Sequence, residues 1–193
     1  RIYCGMDLVR RTIQRYVPLS EEEWGKVATC WQDHAFSRKA SICRVGQVEE
    51  RFWIVKEGVQ RISFPHDGED ICVGFAYGGS WSGEYASFVT RAPARFDVVA
   101  MTDSVLTGIR HDDLQRLYRE VPVMERFGRL ILEEVLVGRG VREIELLSLD
   151  ARERYRRLVA RSPQLLQLVP QKDIASYLRM SPETFSRLRR KQP

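Results

Sequence analysis

Glu183, Arg187 and Arg190 follow one another at spacings of four and three near the end of this 193-residue chain. On a helix those spacings set one carboxylate and two guanidinium groups on a single face. Such a face can read nucleic acid: a guanidinium donates in a fork to guanine O6 and N7, and a carboxylate accepts from the cytosine N4 amine. Thr184, beside them, suits a phosphate oxygen, which positions a protein without reading sequence.

The elements that must hold these residues run from Pro170 to Lys191, PQKDIASYLRMSPETFSRLRRK. A first short helix buries Ile174, Ala175 and Leu178. A tight break follows at Arg179-Met180-Ser181, and a second helix buries Phe185 and Leu188. Ser181 is a good N-cap, and Pro182 sits where a missing N–H costs nothing. Two readings fit this pattern: a DNA-binding helix-turn-helix, or a helical hairpin packed on its own domain with a charged outer face. Charge favours the first. Asp150 to Lys191 holds eleven Lys or Arg against four Asp or Glu, a net +7, so the formal +5 of the whole chain resides in this tail and the remainder is net −2. A field confined to one region is what attraction to a phosphate backbone requires. Gln171, Lys172, Ser181, Glu183, Thr184, Arg187, Arg190 and Lys191 are the candidate contacts to double-stranded DNA.

Composition excludes several other chemistries. The four cysteines, Cys4, Cys30, Cys43 and Cys72, have no CxxC spacing, so neither zinc nor an iron–sulfur cluster is signalled, and reduced thiols are expected. The three histidines, His34, His66 and His111, form no His-x-His pair and meet no paired carboxylates, which argues against a metalloenzyme on a β-barrel. The expectation is a protein that is not an enzyme and needs no metal. No apolar run reaches the ~18 residues of a membrane span and no signal peptide opens the chain, so a cytoplasmic location is expected.

In chain order, residues 1–29 read as helical, with Leu8, Val9, Ile13 and Tyr16 as a buried stripe and Ser20 with Glu23 as a capping box. From Phe36 to about Ile109, short runs rich in Val, Ile, Phe and Trp are punctuated by Gly46, Gly58, Gly68 and Gly78-Gly79. Seven or eight strands at that spacing predict an antiparallel sandwich or jelly roll. Helix resumes at His111, and Pro122 opens a much longer one reaching Ser148. Val123, Phe127, Leu130, Val137, Val141 and Ile144 alternate three and four apart along it, interrupted at Glu134. That pattern suits a two-stranded coiled coil, or a helix laid along its own barrel. Gly138 and Gly140 weaken this helix and mark either a close approach or a flexible point. Asp150 with Glu153 is read as another capping box. The predicted class is α+β: a β-roll with flanking helices over 1–120, a dimerisation helix over 121–149, and an all-α helix-turn-helix over 150–193.

Barrel, long helix and helix-turn-helix in that order resemble the Crp/Fnr superfamily of bacterial transcription regulators, and SLDARERYRRLVARSPQLLQLVPQKDIASYLRMSPETFSRLRRK looks closest to the short members common in Bacteroidetes. The resemblance covers essentially the whole chain. It implies a homodimer whose roll senses a small effector and whose paired terminal modules read a pseudo-palindromic operator. Where the family has a base-reading arginine after the opening Ser, this chain has Pro182, so base reading falls chiefly to Glu183 and Arg187. The family's β-wing would normally follow the second helix, whereas this sequence ends at Pro193; a module that senses a small molecule or binds a protein without reading DNA is the alternative. In cyclic-nucleotide members a Gly-Glu pair holds the ribose and an Arg ten residues on grips the phosphate. Gly83-Glu84 keeps the first half, but the tenth residue beyond Glu84 is Ala94, with Arg95 one place later. A one-residue slip on a strand turns a side chain to the opposite face. Gly83, Glu84 and Arg95 are the candidate effector contacts, with a cyclic nucleotide as one candidate ligand and no other cofactor implied.

Overall fold

A computed structural model describes residues 3–190, with side chains from Met6 onward. Cys4 and Lys191 therefore lie outside the described side chains. Two helices open the chain, α1 (Tyr3–Gln14) and α2 (Glu21–Ala28). The capping box at the start of α2 is complete, with Ser20 Oγ accepting from Glu23 N–H (3.2 Å) and Glu23 Oε2 accepting from Ser20 N–H (2.8 Å).

Eight strands follow among the described residues: β1 (Trp31–Phe36), β2 (Ser41–Cys43), β3 (Arg51–Glu57), β4 (Val59–His66), β5 (Glu69–Tyr77), β6 (Trp81–Ser82), β7 (Asp97–Ala100) and β8 (Ser104–Arg110). They pair antiparallel in two four-stranded sheets, ordered β1-β8-β3-β6 and β2-β7-β4-β5. The Gly/Val/Ile/Phe pattern thus gives the two-sheet roll expected of it. One element had no counterpart in that pattern: α3 (Tyr85–Thr90), a short helix set between β6 and β7. Gly108 on β8 makes room for the Trp53 ring across the sheet, since a Cβ there would meet the indole at 2.5 Å.

The roll's outer sheet is covered by helices. Phe52, Ile54 and Ile109 pack against Val9 and Ile13 of α1 and against α4 (His111–Glu120) and α5 (Pro122–Ser148). With 27 residues, α5 extends about 40 Å, and its two halves have different surroundings. In the first half Met124, Phe127 and Ile131 are buried in the roll's core, and Val123 and Leu130 pack at its edge. Glu134, the interruption in the apolar series, accepts a hydrogen bond from Tyr16 Oη (2.5 Å). In the second half Leu136, Val137, Val141, Ile144 and Leu147 stand exposed. The six residues expected to form a dimer seam are therefore divided. Val123, Phe127 and Leu130 face the chain's own roll, because the apolar stripe of the first half is consumed by the sheet beneath it. Only Val137, Val141 and Ile144 remain free to meet a partner.

Gly138 and Gly140 lie inside continuous helix with nothing within 4 Å of a built Cβ, so no close approach within the chain requires them. Replacing Gly138 with Ala is expected to raise stability by about 1 kcal/mol, read as a higher thermal midpoint; an unchanged or lower midpoint would show that this glycine is needed for something other than helix packing.

The C-terminal part is α6 (Ala151–Arg161), α7 (Leu165–Leu168), α8 (Gln171–Tyr177) and α9 (Pro182–Arg190). Asp150 caps α6 by accepting from Glu153 N–H (2.8 Å). The reciprocal half of the expected box is replaced: the Glu153 carboxylate turns outward to Arg156 and Arg157, whose hydrogen bonds, that of Arg156 foremost, pull its pKa down to about 2.

Candidate nucleic-acid interface and the cavity behind it

Helices α8 and α9 pack through Ile174, Ala175, Leu178 and Phe185 onto Tyr155 and Leu158 of α6. Their turn has the geometry of a Schellman motif. Met180 N–H reaches back to Ala175 C=O (3.1 Å), and Arg179 takes the left-handed position at φ 54° that glycine usually fills. Arg154 supports the turn from α6, donating to the carbonyls of Leu178 (2.9 Å) and Leu149 (2.6 Å). One side chain thus ties the turn to the end of α5. Sequence reasoning missed it, since nothing distinguishes Arg154 from its exposed neighbours Arg152, Arg156 and Arg157. Truncating Arg154 to Ala is expected to cost about 2 kcal/mol in urea unfolding, because charge-assisted hydrogen bonds to three carbonyl groups end together. A destabilisation under about 0.5 kcal/mol would mean the turn stands without it.

Ser181 caps α9 as its type suggests, accepting from Thr184 N–H (3.2 Å). Phe185 is fully buried on the inner side, which turns Glu183, Arg187 and Arg190 to solvent. Arg187 Nη2 donates to Thr184 Oγ1 (3.1 Å), holding the guanidinium beside the start of the helix. Ser181, Gln171 and Lys172 are exposed as well, and Thr184 is half-buried. The described candidates are thus presented together by α8, the turn and α9.

The helix pair does not stand free of the roll. Its α8 lies on β5: Cys72 N–H donates to Ser176 Oγ (3.0 Å), Tyr177 packs its ring at 5.4 Å from Phe75, and Tyr77 Oη and Ser162 Oγ are 2.6 Å apart. Asp173, buried, forms an ion pair at 3.0 Å with Arg61 of β4. From α5, Arg142 donates to Tyr177 C=O (2.8 Å) and lays its guanidinium 3.7 Å from the centre of the Tyr177 ring. Glu145, also buried, pairs with Arg157 and Arg161. These contacts join residues up to 112 positions apart in sequence.

The three candidate effector contacts are used differently from the expected cassette. Gly83, at φ 106°, places its Cα where a Cβ would crowd Trp53 and Glu49. Glu84 is buried and caps α3, its carboxylate accepting from Ser87 N–H (2.6 Å). Arg95 is exposed while Ala94 beside it is buried, both in the loop that precedes β7 rather than on the strand. A second carboxylate, Glu49, occupies the interior next to this turn. It accepts from Glu84 N–H (3.3 Å) and from the Trp53 indole (3.3 Å), and burial pushes its pKa up. The Glu84 amide is thus already satisfied by the chain's own acid.

Beside the turn a cavity of about 610 Å³ opens between β4, β5 and α5. Ile62, Phe64, Val73, Phe96 and Leu146 give it apolar walls, with the Phe64 and Phe96 rings edge to face at 6.0 Å. Arg139 and Arg142 reach it from α5. Among the described residues no group of three His, Cys, Asp or Glu could hold a metal ion, and no helix is long and apolar enough to cross a membrane.

The arrangement has known counterparts. The cyclic nucleotide-binding domain family matches residues 33–121. Among solved structures, the catabolite activator protein of Thermus thermophilus superimposes with a TM-score of 0.59 at 20% identity, covering 93% of this chain and 85% of that one. The c-di-GMP responsive global regulator CLP of Xanthomonas campestris gives 0.64 at 16% identity, over 89% of this chain and 91% of that one. The regulatory domain of Toxoplasma gondii PKA, crystallised with cAMP, gives 0.55 at 21%, over 68% of this chain and 49% of that one. No curated protein matches the sequence. The fold is the one shared by these solved structures, a β-roll followed by a long helix and a terminal helical module. The residues that match the family model are those of the eight-stranded roll and α4.

Proposed function

We propose that this chain is a DNA-binding transcription regulator that acts as a homodimer. The observation that carries the reading is the face of α9: Glu183, Arg187 and Arg190 are exposed side by side over a buried Phe185, at the end of the one segment that holds the chain's net positive charge. That is the surface a recognition helix offers to a major groove. The likeness to the Thermus and Xanthomonas regulators, which extends over nine-tenths of the chain, supports the same reading.

A second copy is the natural cover for the free half of α5. Leu136, Val137, Ile144 and Leu147 form one apolar stripe with Gly140 at its middle, and a solitary helix would leave it in water. Pairing there would set two α9 helices to meet successive major grooves about 34 Å apart. A cyclic nucleotide is a poor match for the roll, because Glu84 is spent on α3, Glu49 holds the Glu84 amide, and Arg95 points to solvent.

Selection of bound duplexes from a random library, with and without cyclic AMP or cyclic GMP, tests all of this. A two-fold symmetric consensus that neither nucleotide alters is expected. Recovery of no consensus would leave the chain a sensing or protein-binding module, and a consensus that appears only with a nucleotide would overturn the reading of the roll.

A further inference from the structure

Arg142 touches two places at once. It borders the apolar cavity between β4, β5 and α5, and it holds Tyr177 of α8 through a carbonyl hydrogen bond and a ring contact. It is half-buried, and its partners there are neutral. Glu145, the nearest buried acid on its own helix, is taken by Arg157 and Arg161. Among the described residues no carboxylate stands within ion-pair distance of Arg142. A guanidinium removed from water with only neutral acceptors is under-compensated, and burial correspondingly lowers its pKa. An anion brought into the cavity would offer it the missing charge.

The walls define the rest of such a molecule. Ile62, Phe64, Val73, Phe96 and Leu146 provide dispersion and hydrophobic contacts, and Tyr85 adds a single hydroxyl, short of the set of polar partners a sugar's hydroxyls would need. Of the two carboxylates at the cavity, Glu84 is already committed to the Ser87 amide, and Glu143 is exposed to water. The volume, about 610 Å³, accommodates an aromatic or aliphatic body of ordinary ligand size.

We infer that this cavity takes a small amphipathic anion, an aromatic or aliphatic body carrying a single carboxylate-like or sulfonate-like group, and that Arg142, by turning to that group, gives up Tyr177 and loosens α8 from β5. The inference rests on the proposed regulatory role for its meaning, but not for its test. Ligand and Tyr177 compete for one guanidinium, so they oppose each other reciprocally: whatever weakens the Tyr177 contact strengthens binding, and binding weakens the α8 contact by the same factor.

The full chain is titrated with anilinonaphthalene sulfonate, an aromatic body with one anionic group, and with phenylnaphthylamine, the same body without it. Expected is one saturable sulfonate site per chain, at least about 10-fold tighter than for the neutral probe. Val73→Trp, which fills the cavity from β5, abolishes it. Arg142→Ala lowers the preference for the charged probe by most of its value, more than Arg139→Ala does, since Arg139 also borders the cavity but is exposed to water. Tyr177→Leu, which leaves Arg142 in place, tightens sulfonate binding several-fold. Release of α8 is read at Cys72, whose thiol is buried beneath it and raised to about 12 by burial, so that iodoacetamide reacts slowly. Saturating sulfonate is expected to speed alkylation of Cys72 about 10-fold while Cys43 stays protected. Equal affinity for the two probes, displacement of the sulfonate by micromolar cyclic AMP, or an unchanged Cys72 rate would each overturn the inference. None of these readings uses DNA, so failure of the proposed DNA binding would appear separately, in the duplex selection.

Discussion

Charge reversal at Arg187 and Arg190 together, as Arg187→Glu and Arg190→Glu, is expected to lower affinity for the selected duplex by at least about 100-fold and to flatten its dependence on salt. Arg187 is exposed on α9 and is steadied by Thr184, a geometry suited to forked donation to a guanine edge, and one such bidentate pair is typically worth about 1–3 kcal/mol. Arg190, one turn further along, suits a phosphate, and each phosphate left without its cation takes close to one counterion off the salt slope. A homodimer applies both effects twice. The fold should be untouched, since neither side chain is buried and Phe185, which anchors the helix, is retained. Filter binding or fluorescence anisotropy over a salt series reads the effect. An unchanged slope would place the DNA interface elsewhere on the molecule.

The other large effect is expected on α5. Val137→Asp with Ile144→Asp sets two carboxylates into the exposed stripe, where a dimer would bring them against their own copies and strip their water. The expected outcome is a monomer in sedimentation at concentrations where the unaltered chain is a dimer, with duplex affinity falling by at least about 100-fold as the second half-site becomes an independent event. Because both residues are more than 60% exposed in the single chain, neither substitution should lower the stability of the roll. A variant that stays dimeric would move the interface off this stripe.

The contrast between the two helices explains what could be read from sequence. The α8–α9 pair was legible because everything that defines it is local: Ser181 caps the next turn, Phe185 and Ile174 face one way, and Arg187 and Arg190 face the other. The eight-strand roll was legible for the same reason, from the period of its apolar residues and the glycines between them. On α5 the apolar period was equally clear and its meaning was not. Spacing says that Phe127 and Ile144 are both apolar positions on a helix; it does not say that the first joins Phe52 and Trp81 in the roll's core while the second is left 65% exposed.

The polar contacts that set α8 on β5 were illegible from sequence. Arg61 and Asp173, or Arg142 and Tyr177, are ordinary surface types separated by long stretches of chain, and only the folded arrangement makes partners of them. Glu49 is the clearest case. Its sequence neighbours mark it as one charge among several, yet it sits 3% exposed inside the roll, holding the amide of Glu84. Arg95 is exposed in the bend before β7, where no strand register applies, and beside Glu84 the interior holds a carboxylate that no motif would have named.

The most direct test of the proposed function is stoichiometry on the selected duplex, measured by sedimentation with labelled DNA. Two chains bound to one duplex carrying two inverted half-sites, with centres one helical turn apart, is the expected result. A single chain bound to a duplex without such symmetry, or binding indifferent to sequence at physiological salt, would contradict it.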